Sequence, residues 1–182
     1  MRIYSDLDNV LINPVEDGAT GEIISIIPRP DVDWFLRELA KDGEVWILTA
    51  AERAHADRAL EVLGDLALPY LSGVLSAEDL YPAWSQVDMI LGVPEITDED
   101  RAALLAQIPP VAPAGPIFDD WPARSKLFYV KTAAVGIGPE RWIEVEPFSV
   151  SSPDRGGLRR AHADYIRRFG SGAALAGGLR WA

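Results

Sequence analysis

The chain has 182 residues, of which 48% are hydrophobic and 25% charged, and its formal net charge is −11. This length suits one well-packed domain, and the composition excludes a disordered or fibrous protein. The acidic balance argues against nucleic acid as the main ligand, because phosphates are neutralised by clustered Lys and Arg. No apolar run approaches the ~20 residues that span a bilayer. The sequence begins with a predicted strand and not with the pattern of a signal peptide, so we expect a cytoplasmic protein.

The absence of cysteine narrows the kinds of metal site that the chain could build. With no cysteines, disulfides and thiolate metal sites are excluded. Any metal must therefore be held by oxygen ligands or by the two histidines, His55 and His162. Oxygen ligands favour a hard ion such as Mg²⁺.

Short runs rich in Ile, Val and Trp alternate along the chain with longer amphipathic stretches. This alternation predicts a parallel sheet flanked by helices. We predict five strands, in the order Arg2 to Ser5, Glu44 to Thr49, about Tyr70 to Val74, Pro116 to Phe118 and Arg141 to Val145.

The stretch between the first two strands predicts a small flap followed by a helix. Turn residues around Gly18 and Gly21 precede "EIISII", which favours a hairpin. In "RPDVDWFLRELAKDG", Pro30 suits the first turn of a helix and Gly43 its end. A second helix is predicted over about Ala51 to Leu63.

Residues 76–115 predict a short helical insertion, with one helix that begins at Thr97 and ends at Pro109. Further helices are predicted over about Ala123 to Val135 and Gly157 to Phe169. We divide the chain into a core domain over residues 1–150 and a basic C-terminal helix and tail over 151–182. The last 32 residues carry six Arg and two Asp, a net charge of +4, and we expect their apolar stripe to dock on the acidic core.

Acidic and hydroxyl side chains stand at the ends of three predicted strands. Asp6 and Asp8 follow the first strand, Thr49 closes the second, and Asp119 and Asp120 follow the fourth. In an open parallel sheet, ligands bind beyond the carboxyl ends of the strands, so these groups should converge. Clustered carboxylates repel one another unless a cation lies among them. The pattern therefore predicts a divalent metal site.

Three segments in this order, "YSDLDNVL", "WILTAA" and "IFDDWP", resemble the haloacid dehalogenase (HAD) superfamily of aspartate-nucleophile phosphatases. The text "PRPDVDWFLRELAKDGEVWILTAAERAHADRAL" is most similar to the NLI-interacting-factor-like group, which includes the phosphatases of the RNA polymerase C-terminal domain. The resemblance covers roughly residues 2–75 and 116–148. It implies an α/β, HAD-like Rossmannoid three-layer sandwich with a central parallel sheet, a small flap and a short helical insertion.

The resemblance also implies roles for individual residues. Asp6 would be the nucleophile that forms an aspartyl-phosphate, and Asp8 the general acid and base. Magnesium would be bound by Asp6, the backbone carbonyl of Asp8, and Asp119 or Asp120. The expected contacts to the substrate phosphate come from Thr49, Asn9, Ala50 and Arg124.

One element departs from the family pattern, which supplies a lysine before the second acidic motif. Residues 52–115 contain no lysine. Lys126 is our candidate for the phosphate clamp, since Lys41 should point away; Arg53, Arg101 and Arg124 are substitutes. An alternative alignment of "SKLFYVKTAAVGIGPERWIEVEP" keeps Lys126 but makes Glu146 the metal acid. We favour the Asp119 and Asp120 pair. We interpret both histidines as surface or packing residues, and expect Trp84 and Trp121 near the site.

These patterns together predict a Mg²⁺-dependent phosphomonoester hydrolase. Its substrate would be a phosphorylated small molecule or a phosphoprotein, without a membrane partner. Two alternatives stay open. One is a binding module that keeps the metal acids but has lost the lysine, and the other is a HAD enzyme of the 5'-nucleotidase type.

Overall fold

The computed structural model describes residues 1–93, 95–151 and 154–170, which contain seven strands and six helices. The strands are β1 (Arg2–Ser5), β2 (Ile12–Glu16), β3 (Ile23–Pro28), β4 (Glu44–Leu48), β5 (Leu71–Leu75), β6 (Ile117–Asp119) and β7 (Trp142–Glu144). The helices are α1 (Val32–Ala40), α2 (Arg53–Leu63), α3 (Ala77–Leu91), α4 (Asp98–Leu105), α5 (Lys126–Ala134) and α6 (Gly157–Phe169).

Five of the strands form one parallel sheet in the order β5-β4-β1-β6-β7. All five were predicted, and none of their ends differs from the predicted one by more than one residue. β1 is central and pairs with β4 on one side and β6 on the other. The carboxyl ends of these three strands therefore lie side by side, which places the predicted acidic groups at one edge of the sheet.

Helices cover both faces of the sheet, which confirms the three-layer α/β fold. Successive side chains of β1 enter different layers, because strand residues alternate between the two faces. Ile3 belongs to a core built with Phe35 of α1 and Tyr165 of α6. Tyr4 belongs to a second core, built with Leu80 of α3 and residues of α5.

The predicted flap is an antiparallel hairpin of β2 and β3, separate from the main sheet. Gly21 adopts a positive φ of 71° in its turn, a conformation that glycine reaches without steric cost. The hairpin begins at Ile12, four residues after Asp8, and ends at Pro28. It therefore follows the loop that carries the first pair of acids.

The structure corrects the predicted helices in four places, of which one is the end of α4 at Leu105 and not at Pro109. α3 was not predicted, and it starts with a capping box between Ser76 and Asp79 although it contains Pro82. α5 begins at Lys126 and not near Ala123, because the Ser125 hydroxyl accepts the N–H of Phe128 as an N-cap. α1 ends at Ala40, before Gly43.

The C-terminal helix α6 has the predicted bounds and docks through its apolar stripe. Leu158, Ala161 and Tyr165 are buried against the core. Arg159 adds an ion pair with Asp31 at the start of α1. The tail from residue 171 onward, part of the predicted 151–182 segment, lies outside the described residues. Among those described, none of the helices combines the length and the apolar character that crossing a membrane requires.

Candidate active site

Three carboxylates converge at the carboxyl ends of β1 and β6. Asp6, Asp119 and Asp120 each offer one oxygen, and these oxygens lie within 4.8 Å of one another. Asp6 and Asp119 are buried, and Asp120 is partly exposed. The side chains come together because β1 and β6 are neighbours in the sheet and each ends at the same edge.

A buried lysine that the sequence analysis overlooked lies among these acids. Lys131, on α5, is fully buried, and its Nζ lies 2.9 Å from Asp6 Oδ1 and 2.5 Å from Asp119 Oδ2. The sequence does carry a signal for it. Lys131 interrupts the apolar stretch "LFYVKTAAV", and a lysine at such a position is rarely buried unless it is paired.

Lys126, the lysine that we selected from the sequence, has a different environment. Its side chain is about half exposed, forms an ion pair with Asp88, and lies 5.0 Å from the ring centroid of Trp84. It lines the cavity over the site but is not among the acids. The sequence analysis therefore chose the lysine nearest Asp120 along the chain, whereas the fold brings Lys131, five residues further along the same helix, to the carboxylates.

Crowding of like charges alters the proton affinities in this cluster. Burial, together with the nearby Asp6 carboxylate, raises the pKa of Asp119 to about 7 and that of Asp120 to about 6. Burial alone would lower the pKa of Lys131, but the carboxylates of Asp6 and Asp119 outweigh it and raise that pKa. Lys131 therefore stays an ammonium at neutral pH.

The donor set fits a hard divalent cation. Three carboxylates and one ammonium leave a formal charge of −2, which one divalent ion would neutralise. Asp6 Oδ1 and Asp120 Oδ1 are buried and accept no hydrogen bond, although the former lies at ion-pair distance from Lys131. Buried oxygens without partners are costly, and Mg²⁺ prefers carboxylate oxygens as ligands.

Asp8 lies beside this cluster, and its side chain has a separate partner. His55 Nε2 lies 2.8 Å from Asp8 Oδ1, across 47 residues of sequence. This corrects our interpretation of His55 as a surface or packing residue. Burial raises the pKa of Asp8, while its hydrogen bond with His55 opposes that rise. His162, by contrast, packs edge-on against Trp34 as expected.

Thr49 and Asn9 complete the polar edge of the site. Thr49 is buried at the end of β4, and its hydroxyl accepts the N–H of Ala51 at 3.1 Å. That bond leaves the hydroxyl proton free to be donated, as contact with a phosphate oxygen requires. Asn9 holds a positive φ of 59°, and its carbonyl accepts the N–H of Phe148 at 2.7 Å.

A cavity of about 360 Å³ opens over these groups. Both tryptophans that were expected near the site border it. Its lining comprises Asp6, Asp8, Asn9, Thr49, Ala50, Ala51, Trp84, Trp121, Lys126 and Leu127. The cavity therefore has polar groups on one part of its lining and aromatic and apolar side chains on another.

The remaining sequence candidates lie elsewhere. Arg124 and Arg101 line a larger cavity of about 920 Å³ between α4 and α5, which none of the clustered acids borders. Arg53 pairs with Asp57. Glu146, the alternative metal acid, pairs with Arg160 on α6. The geometry therefore favours the alignment with Asp119 and Asp120 as the metal acids.

Comparison with known proteins agrees with this geometry. Residues 3–81, which are 79 of the 182, match the family model described as NLI interacting factor-like phosphatase. The match agrees with the family resemblance seen in the sequence over this part of the chain. It spans β1, the flap, α1, β4, α2, β5 and the start of α3, so it includes Asp6, Asp8, Thr49 and His55.

Among solved structures, the chain is similar to a variant of the fission yeast RNA polymerase II CTD phosphatase Fcp1 bound to beryllium fluoride. The identity is 14% and the TM-score 0.45, and the alignment covers 96% of this chain and 54% of that one. The chain thus spans about half the length of the solved protein. A search of curated proteins gave no match.

Proposed function

We propose that this protein is a Mg²⁺-dependent phosphomonoester hydrolase in which Asp6 is the nucleophile. One observation carries the proposal: Asp6 lies beside a buried ammonium and two further carboxylates, and it lines a cavity that Thr49 also lines. A buried cluster of this composition is expensive to maintain without a function, because it must be balanced by an added cation or by protonation.

Magnesium would be bound by Asp6, Asp119 and Asp120, with the backbone carbonyl of Asp8 as a further ligand. When bound, it would neutralise charge between the nucleophile and the substrate phosphate.

Asp6 would attack phosphorus, so that a bond forms from its carboxylate oxygen while the bond to the leaving oxygen breaks. Asp8 would protonate that leaving oxygen and would then take a proton from the water that hydrolyses the aspartyl-phosphate. Thr49 would donate its hydroxyl to a phosphate oxygen. Lys131 would orient Asp6 and would offset the negative charge that enters with the substrate.

The cavity supports a phosphorylated small molecule or a phosphorylated side chain as substrate. Its volume of about 360 Å³ leaves room beyond the phosphate for only a modest group, and the wall there is formed by Trp84, Trp121 and Leu127. The solved relative is a phosphatase of the RNA polymerase II C-terminal domain. By analogy, we propose a phosphoprotein as one substrate of this protein.

The non-catalytic alternative depended on the missing lysine, and Lys131 removes that reason for it. The 5'-nucleotidase alternative stays open, and competition by nucleoside monophosphates would reveal it. The cytoplasmic location and the division at residue 150 stay predictions from the sequence.

The decisive experiment is hydrolysis of 4-nitrophenyl phosphate with and without Mg²⁺. We expect turnover that requires Mg²⁺ and is abolished by Asp6→Asn. Asp65→Asn is the matched control, because Asp65 is an exposed aspartate outside the site. Absence of turnover by the unchanged protein over a panel of phosphate esters would favour the binding module.

A further inference from the structure

His55 is placed on the first turn of α2 so that it reaches the Asp8 side chain. The ring and the carboxylate are both partly enclosed, with 14% and 27% of their side-chain surfaces exposed. The 2.8 Å contact uses Nε2, which donates to the carboxylate in the tautomer that carries its proton on this nitrogen. When Asp8 is protonated, the other tautomer can accept from it.

The backbone around His55 is fixed by neighbouring elements. Ala56 and Ala59 of α2 are fully buried in the core. Both oxygens of Glu78 lie 3.1 Å from the backbone N–H of Arg53 and hold the start of the helix. The imidazole therefore approaches Asp8 from a rigid support, as precise positioning of a catalytic group requires.

Asp8 needs such a partner because a cationic centre lies close to it. Lys131 attracts the Asp8 carboxylate, and a bound divalent ion would attract it further. Yet Asp8 is not one of the three acids whose oxygens converge. Its side chain is instead bonded to α2, on the opposite side from α5.

We propose that His55 is a positioning residue that holds the Asp8 carboxyl group toward the leaving-group oxygen and away from the metal-binding acids. The inference rests on the proposed phosphatase function. Without this hydrogen bond, the Asp8 side chain would spend much of its time in solvent or against the cationic centre. It would then protonate the leaving group poorly, while Asp6 would still be able to attack.

The test compares substrates that differ in their need for a proton. Nitrophenolate leaves readily without protonation, whereas the phenolate of phenyl phosphate is a much poorer leaving group. His55→Phe keeps a ring but removes the donor. We expect kcat/KM for phenyl phosphate to fall by about 10- to 100-fold, the usual cost of losing a supporting hydrogen bond, and that for 4-nitrophenyl phosphate by only a few-fold.

Two further variants distinguish the effect of losing the hydrogen bond from the effect of losing the imidazole ring. The amide nitrogen of His55→Gln reaches about where Nε2 lies, and we expect it to recover most of the lost activity. The side chain of His55→Asn is too short to reach Asp8, so this variant should lose the same activity as His55→Phe. It provides the same test if His55→Phe folds poorly. Adding His55→Phe to Asp8→Asn should cause little further loss, because the two changes remove one interaction.

Equal losses on both substrates, or failure of Gln to recover activity in a protein with unchanged melting temperature, would overturn the proposal. A failure of the underlying function would look different. In that case the unchanged protein would hydrolyse neither ester.

Discussion

Lys131 Nζ lies 2.5 Å from Asp119 Oδ2, and the two residues belong to a strand and to the helix that directly follows it. The resemblance to HAD phosphatases leads one to seek the lysine before the acidic motif. Here it comes 12 residues after Asp119, on α5. The acid and its counter-charge are therefore supplied by a single strand-helix unit.

This relationship predicts that Lys131, and not Lys126, is required for activity. We expect Lys131→Met to lower kcat/KM by about 100-fold or more, because it removes a preorganised charge beside the nucleophile. Lys126→Met should cost about 10-fold or less, since that ammonium is half exposed and already paired with Asp88. Steady-state kinetics at saturating Mg²⁺ would decide. A larger loss in Lys126→Met would return the role to the residue chosen from the sequence.

Magnesium should stabilise the folded protein. The cluster carries a formal charge of −2, and the buried Asp120 Oδ1 accepts no hydrogen bond, so a cation that binds only the folded state raises the free energy of unfolding. The expected gain is about 2.7 kcal/mol when the free ion is at 100 times its Kd. Urea unfolding with Mg²⁺ or with a chelator measures it. Asp120→Asn should lose most of the gain, and an equal gain in that variant would contradict the assigned site.

Without metal, the same acids should make stability fall as the pH rises. Asp119 and Asp120 have pKa values of about 7 and about 6 in the folded protein, whereas unfolded aspartates titrate near ~3.9. Between about pH 4 and pH 7 the folded state therefore binds more protons than the unfolded state, so these groups lower the free energy of unfolding as the pH increases.

Urea unfolding in chelator across this range would measure the effect. The informative quantity is the difference between the unchanged protein and Asp120→Asn, since other carboxylates also titrate. We expect the variant to lose less stability between pH 4 and pH 6. Parallel pH profiles would show that Asp120 keeps an ordinary proton affinity.

The ion pair of Arg29 with Asp154 should be important for stability. Only 1% and 5% of these side chains are exposed, and the Arg29 guanidinium also donates to the Val10 carbonyl behind Asp8. Removing one partner of a buried pair typically costs about 3–5 kcal/mol, so we expect Arg29→Met to lower the free energy of unfolding by this amount.

Arg159→Met is the control for this prediction, because its pair with Asp31 is largely exposed and should contribute about 1 kcal/mol or less. Combining Arg29→Met with Asp154→Leu should restore part of the loss, since no charge is then left buried alone. A loss that is no larger than that of Arg159→Met would show that the pair contributes little.

The strands and the acids at their ends could be predicted because each depends on a few neighbouring residues. The apolar runs before Asp6 and Asp119 predicted two strands and also predicted where their carboxyl ends lie. α3 was missed because Pro82 within it conceals the helical pattern, which begins with a local capping box at Ser76.

His55 could not be selected from the sequence because its partner is distant along the chain, and Lys131 was missed although its place in an apolar stretch was a signal. His55 meets Asp8 only after α2 packs on the sheet, 47 residues away. Lys126 and Lys131 lie on the same helix, and only its rotation about its axis decides which of them enters the core. That rotation is set by the burial of Leu127, Val130 and Ala134.

The acids and the ammonium of the described centre come from β1, β6 and α5, with His55 from α2, and none of these charges is supplied by α3 or α4. The described part of the stretch from Ala77 to about Pro113 contributes Trp84 to the cavity wall and none of the clustered charges, although Glu78 supports the start of α2. Choice of ester therefore depends in part on a side chain outside the elements that carry the reactive groups. Replacing Trp84 alone should change which phosphate esters are accepted while every reactive group stays in place.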